Sequence, residues 1–304
     1  MESDGRLSAR LFSPPIEAAL LMVFTCACFA TMSAIIRDLS SAISTFEIAF
    51  FRNAIGMVIL LPVMWRIGLK IPAAPALKAY AIRAGIGVCA MWTWYYALSV
   101  TPLAEAITLN FTVALWMIPV AILVLGEKVG RRRWGATLVG FCGVLIVMQP
   151  GVETVSLGAL LAIFAALLFA VSMALIRILT RTEKPIVIVF FMNLLMTPLS
   201  LGPAIAFWTM PDPGQWGWLI VIGLVATIAH FAMARALSLV EASSLIPLDF
   251  TRLPFAAVIG YFAFGEVPSV WIWPGAALIA ASAIYIARRE AQLQRRQELN
   301  VKAD

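Results

Sequence analysis

The sequence predicts an all-α polytopic membrane protein, with ten transmembrane helices arranged as two inverted five-helix repeats. Three observations support this fold class. Apolar residues make up 62% of the 304-residue chain and charged residues only 12%, whereas a soluble domain carries about 25% charged residues. One long segment occurs twice, and the basic residues cluster in alternate connections between the apolar runs.

The internal repeat is the strongest of these observations. The stretch 97–127 returns as 236–266 at a constant offset of 139 residues, and both copies begin with Ala-Leu-Ser and close with Gly-Glu. A second match, at an offset of 140, relates residues 20–37 to 160–177. The first apolar run is therefore expected to be a retained helix and not a cleaved signal peptide. Repeated membrane-spanning units are typical of transporters.

The predicted spans follow from the length of the apolar runs, since a transmembrane helix needs about 20 mostly apolar residues. The ten runs are 16–36, 44–66, 78–99, 102–125, 132–149, 156–177, 185–207, 215–237, 241–263 and 270–287. They divide the chain into a cytoplasmic N-terminal segment (1–15), a first repeat (16–149), a second repeat (156–287) and a basic cytoplasmic tail (288–304).

The basic residues predict the orientation. With both termini in the cytoplasm, the inner side holds 17 of the 22 lysines and arginines, the outer side holds Arg37 alone, and four lie inside spans. This split is a strong positive-inside signal. Five spans per repeat is an odd number, so the second repeat enters the membrane from the opposite side. We expect a multi-pass protein of the inner (plasma) membrane.

Several function classes receive no support. The motifs H-E-x-x-H, G-x-S-x-G and G-x-x-x-x-G-K are absent from the sequence, and this argues against an enzyme. The four cysteines lie inside predicted spans and are interpreted as small buried side chains. We therefore expect no cofactor and no metal. The net charge of +6 does not indicate nucleic-acid binding, because the basic residues lie between apolar runs.

Three phrases carry a family resemblance: FFRNAIG (50–56), TPLAEAITLNFT (101–112) and LVLGEKVGRRRWGATLVGFCGVLIV (123–147). With the duplicated unit, they resemble the EamA-type carriers of the drug/metabolite transporter superfamily, including bacterial amino-acid exporters. The resemblance implies a central cavity surrounded by spans 1, 3, 4, 6, 8 and 9, with spans 5 and 10 at the periphery. The second repeat departs from the first, with Val187 and Met192 at the positions of Glu47 and Arg52.

Ionisable groups inside a span are costly and are candidates for function. Arg52 is expected to meet a neighbouring helix or a substrate carboxylate. Asp249 and Arg252 share one helix face, so they either neutralise each other or hold a zwitterionic substrate. Arg83 and Arg235 lie near predicted cytoplasmic span ends, where their side chains can reach the interface.

Neutral polar and aromatic residues complete the predicted substrate site. Asn53 and Asn110 either bond across helices or face the substrate, and His230 is either an interhelical partner or a proton carrier. The aromatic candidates are Trp92, Trp94, Tyr95 and Trp116, with Tyr95 and the adjacent Tyr96 alternatively in an interfacial belt. The small residues of spans 5 and 10 indicate either packing within the bundle or a dimer face.

The predicted function is that of a secondary transporter of small organic solutes working by alternating access. Amino acids, aromatic ones included, or related metabolites are the preferred substrates, moved outward. The alternative is a multidrug or cationic-metabolite carrier, such as an S-adenosylmethionine transporter. The expected partners are the substrate and membrane lipid, with no nucleic acid, and the protein is a monomer or a homodimer. The sequence leaves the substrate, coupling ion, direction and oligomeric state open.

Overall fold

The computed structural model describes residues 14–68, 74–126, 130–149, 156–179, 183, 185–239, 245 and 248–303, and within these ranges the secondary structure is helical with no strand. The helices, numbered in chain order, are α1 (Pro14–Leu39), α2 (Thr45–Ile67), α3 (Ala74–Val100), α4 (Leu103–Asn110), α5 (Val113–Leu125), α6 (Arg131–Met148), α7 (Leu157–Leu179), α8 (Pro185–Ala206), α9 (Pro213–Leu239), α10 (Arg252–Phe264) and α11 (Ile272–Ala303). The expected all-α fold is confirmed.

Six segments of the described chain are long and apolar enough to cross a membrane by length and composition. They are α1, α2, α7, α8, α9 and the run Leu103–Val124, in which α4 and α5 together form one span. Of the other helices, α6 begins with three arginines and α11 ends in a charged segment. The shorter apolar helix α10 occupies in the second repeat the place that α5 has in the first.

The two halves pack against each other with the pattern expected of an inverted repeat. Helix α3 packs along α7, and the equivalent pair in the other half is α9 along α1. Helices at equivalent positions of the two repeats also pack against each other: α2 packs along α8, and α6 packs along α11. Most of the buried apolar side chains form one cluster that draws on both halves. The core therefore lies between the repeats.

Small residues bring α6 and α11 into close contact. A Cβ added to Gly143 would lie 2.8 Å from the carbonyl oxygen of Gly275, and one added to Gly275 would lie 2.8 Å from the carbonyl oxygen of Gly143. A Cβ at Gly140 would meet the side chain of Leu115. These glycines allow two backbones to approach, as small residues do in membrane bundles. They serve packing within the bundle, which was one of the two sequence interpretations.

The helix ends also repeat. Gly126 ends α5 with φ +67° and Gly265 ends α10 with φ +66°. This left-handed conformation is favourable for glycine, which has no Cβ. The same Gly-Glu phrase thus ends the equivalent helix in both halves, although Glu127 itself lies outside the described residues.

Candidate functional site

The span formed by α4 and α5 is broken, and the second repeat has the same break at the equivalent residues. Thr112 and Thr251 lie at the breaks with nearly equal backbone angles, φ −60° and ψ −12° against φ −63° and ψ −15°. The hydroxyl of Thr112 donates to the carbonyl of Leu109 at 2.6 Å, and that of Thr251 donates to the carbonyl of Leu248 at 2.7 Å. Broken helices of this kind form substrate sites in many carriers.

Backbone hydrogen bonds show how the helix in each repeat breaks at a Phe-Thr pair. The amide of Thr112 bonds the carbonyl three residues earlier, at 3.1 Å, and the amide of Thr251 does the same at 3.0 Å. Such bonds belong to a tight helical turn and not to an α-helix. A threonine hydroxyl that bonds a preceding carbonyl further favours a bend. Pro254 stands in the first turn of α10, where a proline is tolerated, while Pro247 lies outside the described residues.

The two breaks meet through their phenylalanines. The ring centroids of Phe111 and Phe250 are 4.6 Å apart, with the planes inclined at 55°. The guanidinium of Arg252 lies over the rings of both Phe29 and Phe111, at 5.5 Å and 5.6 Å from the centroids. We call Phe29, Phe111, Phe250 and Arg252 the junction. It brings together residues of α1, of both breaks and of α10.

Asp249 and Arg252 form an ion pair at the junction. An Nη of Arg252 lies 2.6 Å from Oδ1 of Asp249, and the two side chains are 18% and 33% exposed. The thiol of Cys26 is 3.7 Å from the same carboxylate oxygen. Of the two sequence interpretations, mutual neutralisation is the one that this conformation displays.

His230 borders the junction. Its Nδ1 lies 2.6 Å from the carbonyl oxygen of Ala226, one turn earlier in α9. Its ring packs edge-on against Phe29, with centroids 5.2 Å apart. Because Nδ1 contacts a carbonyl, it carries the proton in the neutral ring, and Nε2 is then an acceptor. The ring of His230 thus packs against a neighbouring helix, while its described hydrogen bond stays within α9.

Arg52, another of the predicted site residues, reaches from α2 to α3. Its Nη1 donates to Oδ1 of Asn53 at 3.1 Å and lies 3.8 Å from the sulfur of Met91. Asn53 is fully buried, and its amide reaches Ser200 of α8 at 3.4 Å. Asn53 therefore bonds across helices and also orients Arg52.

Arg83 corrects the sequence interpretation. We expected its side chain to reach the membrane interface, but it is only 6% exposed. Its position in α3 turns it into the bundle, where its Nε and Nη1 have no hydrogen-bond partner among the described residues. Arg235 behaves as expected, because it is exposed and pairs with Glu17 at 3.1 Å. Depth along a helix could be read from the sequence, but the direction of a side chain could not.

The predicted aromatic residues separate into three places. Trp94 and Tyr95 are buried in the core, so Tyr95 does not belong to an interfacial belt. Trp92 packs edge-on against Phe46 of α2 at 5.1 Å. Trp116 lies apart from the junction, edge-on against Phe141 of α6 at 5.1 Å.

Asn110 ends α4 directly before Phe111, and Glu47 lies in the first turn of α2. The Nδ2 of Asn110 is buried and has no hydrogen-bond partner among the described residues. The Oε2 of Glu47 accepts from the backbone amide of Thr209 at 3.1 Å. Glu47 thus holds the backbone of the connection that follows α8. The side-chain amide of Asn110 is a hydrogen-bond donor next to the junction.

A second network lies at the end of the bundle at which α1 ends, which is the outer end in the predicted topology. Arg37 forms an ion pair with Glu266. Glu266 also accepts from the amide of Leu103 at 2.9 Å, and Arg37 donates to the carbonyl of Thr101 at 2.9 Å. The guanidinium of Arg37 lies 4.9 Å from the ring centroid of Phe264. We call these contacts the outer latch.

The sequence analysis did not predict the outer latch, although both of its charged residues stood out in the sequence. Arg37 is the one basic residue on the predicted outer side, and Glu266 closes the second copy of the repeat. The two residues lie far apart in the chain, so only the fold brings them together.

Aromatic rings and guanidinium groups both stack on planar rings, and the junction brings three such rings together with Arg252. No group of three His, Cys, Asp or Glu side chains suited to a metal occurs in the described ranges. Residues 16–149 and 156–288 each match the model of the EamA-like transporter family.

The chain belongs to the EamA-like transporter family.

Similar EamA-like proteins have named substrates. The chain is 32% identical over 282 residues to a riboflavin transporter of Brucella anthropi, covering 90% of this chain and 99% of that protein. It is 26% identical over 252 residues to an S-adenosylmethionine uptake transporter of Rickettsia bellii, covering 83% of this chain and 87% of that protein. A solved crystal structure of 19% identity superposes with a TM-score of 0.55 over 91% of this chain and 96% of that one, which supports the fold alone. The protein is a multi-pass membrane transporter of small solutes.

Proposed function

We propose that this EamA-like carrier moves planar aromatic metabolites, and that flavins are the first class to test. The observation that carries the proposal is the junction, where the Arg252 guanidinium lies over the rings of Phe29 and Phe111, and the ring of Phe250 packs against Phe111. Aromatic rings stack on such side chains, and a guanidinium can stack on a ring or bond its carbonyl oxygens. The similarity to a riboflavin transporter supports the same class.

The mechanism that we propose is alternating access. The junction belongs to both repeats, so a rocking of one half against the other exposes it first to one side and then to the other. The outer latch joins the end of α1 to Glu266, just after α10, in the present conformation. In this proposal the protein lies in a bacterial inner membrane, and both termini are in the cytoplasm, as the positive-inside pattern predicts.

Amino-acid export, the preferred sequence hypothesis, is the second candidate. It draws on Arg52, which has no carboxylate partner among the described residues and is therefore available to a substrate carboxylate. Arg252 and Asp249 are less suited to a zwitterion than expected, because they bind each other. Asp249 is also the group that a cationic metabolite such as S-adenosylmethionine would meet.

The test is transport into proteoliposomes with labelled riboflavin, phenylalanine, tryptophan and S-adenosylmethionine. The variants are Phe111→Leu and Phe250→Leu, which keep an apolar side chain and remove the ring. The matched control is Phe262→Leu on α10, because Phe262 is 81% exposed. An aromatic contact contributes about 0.5–1.5 kcal/mol, so each junction variant should lower riboflavin transport by about 2- to 10-fold.

The control variant should transport as the wild type does. Transport of an amino acid and of no flavin would replace the first candidate by the second. Equal riboflavin transport by all variants, at unchanged protein amount, would remove the junction from the site.

A further inference from the structure

A recess lies at the end of the bundle where α1 ends, apart from the junction. It is lined by residues of three stretches, 40–46, 96–99 and 205–209. These stretches join α1 to α2, end α3 and lead from α8 towards α9. The recess has a volume of about 640 Å³, within the range of about 300–1,000 Å³ that is common for small-molecule sites. We call it the outer recess, because the predicted topology places these helix ends on the outer side.

Aromatic side chains form much of its wall. Phe46, Tyr96, Phe207 and Trp208 all line the recess. The rings of Phe46 and Phe207 are stacked, with centroids 5.5 Å apart and planes inclined at 23°. Phe207 is nevertheless 60% exposed, and Tyr96 and Trp208 are exposed as well. Open aromatic surface around a concave site favours a ligand that has a ring of its own.

Contacts with α2 hold one wall of the outer recess in place. The buried Glu47 accepts from the backbone amide of Thr209 at 3.1 Å. The ring of Trp208 packs against that of Phe51, with centroids 5.5 Å apart. With the stacked pair, these contacts position three consecutive residues, 207–209. A wall that is ordered before a ligand arrives reduces the entropy cost of binding.

The polar groups of the wall suit a neutral molecule. The Oγ of Ser44 accepts from the amide of Phe46 at 3.3 Å, so its own O–H can donate to a ligand. The Oγ of Ser99 donates to the carbonyl of Tyr96 at 2.8 Å, so its lone pairs can accept. The lining residues that the structure describes include no charged side chain. Hydroxyl and carbonyl groups are therefore the substituents that this wall matches.

The outer recess is separate from the junction. Phe29, the junction residue of α1, lies ten residues before Leu39 at the end of that helix, which is about 15 Å along it. None of the four junction residues lines the recess. The recess instead adjoins the outer latch, because the hydroxyl of Ser40 donates to the carbonyl of Arg37 at 2.9 Å.

We propose that the outer recess is a second binding site, which takes a neutral planar aromatic molecule with hydroxyl or carbonyl groups from the outer side. The exposed rings provide the stacking surface, and the serine hydroxyls bond the polar substituents. This inference goes beyond the proposed function, since the recess shares no residue with the junction and its ligand need not be transported.

Protection of a cysteine in the recess tests the site directly. Ser99→Cys is introduced into a background without the four native cysteines, and its reaction with a maleimide is followed on purified protein in nanodiscs. The probes are riboflavin and 2-naphthol, two neutral planar aromatic molecules that carry hydroxyl groups. The control cysteine is Val270→Cys, which is exposed on the same predicted side and does not line the recess.

Each variant removes one ring and keeps an apolar side chain. Phe207→Leu and Tyr96→Leu alter the recess, Phe111→Leu alters the junction, and Phe262→Leu is the exposed control. We expect at least one probe to slow labelling of the recess cysteine and not of the control cysteine. Each recess variant should raise the half-protecting concentration by about 2- to 10-fold, and the other two variants should leave it unchanged. If Phe207→Leu does not fold, Tyr96→Leu decides the question.

Three results would overturn the recess site. Labelling that neither probe slows in folded protein would leave the four rings as an interfacial aromatic belt. Equal slowing of the control cysteine would show that the probe acts from the membrane. Protection that Phe111→Leu weakens as much as Phe207→Leu does would show that it acts from the junction. The proposed function fails separately, because absent riboflavin transport with retained protection by 2-naphthol would overturn that function and not the recess.

Discussion

The outer latch is expected to set how often the outer end of the carrier opens. The perturbation is Glu266→Gln, which removes the charge and keeps an oxygen to accept from the amide of Leu103. In the wild type the Arg37 and Glu266 side chains are 19% and 17% exposed. The partner contacts are two backbone groups and the ring of Phe264.

The magnitude follows from this partial burial. An exposed ion pair contributes about 0.2–1 kcal/mol, and hydrogen bonds to charged groups contribute about 1.5–3 kcal/mol. For a pair about four-fifths buried, which still keeps its backbone bond to Leu103 in the variant, we expect a loss of about 1–2 kcal/mol. That loss raises the population of the outer-open state by about 5- to 30-fold.

The assay is cysteine labelling behind the latch. Ala104 is only 4% exposed and follows Leu103, so Ala104→Cys, in a background without the four native cysteines, reports opening to an impermeant maleimide. The labelling rate should rise about 5- to 30-fold with Glu266→Gln. The control is Glu17→Gln, which removes the exposed pair with Arg235 at the other end and should leave the rate unchanged. An equal labelling rate in wild type and Glu266→Gln would refute the latch.

Three further predictions concern the repeat, the ion pair and the bundle. The repeat aligns Glu127 with Glu266, so Glu127→Gln should favour opening at the inner end and slow the labelling at residue 104. Asp249→Asn alone should destabilise the protein by about 1–3 kcal/mol by leaving Arg252 without its partner, and the double variant with Arg252→Gln should be milder, as thermal unfolding will tell. Gly143→Val should separate α6 from α11 and lower the unfolding temperature, because its side chain would enter the backbone of the other helix. Equal stability of the single and double variants, or a normal melting curve for Gly143→Val, would contradict these two.

The sequence was informative where a physical signal repeats along the chain. Apolar composition predicted an all-helical bundle, and the shared Phe-Thr and Gly-Glu phrases correspond to the equal breaks and equal helix ends of the two halves. Those phrases determine local backbone structure, so a single sequence suffices to find them.

The site was less predictable because it depends on the directions in which side chains point and on contacts between residues that are far apart in the sequence. Arg83 lies near a predicted span end, yet the rotation of α3 buries it. Trp116 was expected at the substrate site, but its ring packs edge-on against Phe141 of α6. Phe29 and Phe111 were not singled out, because an apolar ring in an apolar helix carries no signal until Arg252 is found above it.

Counterflow of riboflavin is the most direct measurement of the proposed transport. Proteoliposomes are loaded with unlabelled riboflavin, and the entry of labelled riboflavin is followed for the wild type, for Phe111→Leu and for empty liposomes. We expect transient accumulation above the empty liposomes that unlabelled flavin outside suppresses and that Phe111→Leu reduces by about 2- to 10-fold. Entry no faster than into empty liposomes, with protein that is folded and correctly inserted, would contradict transport of flavins through the junction.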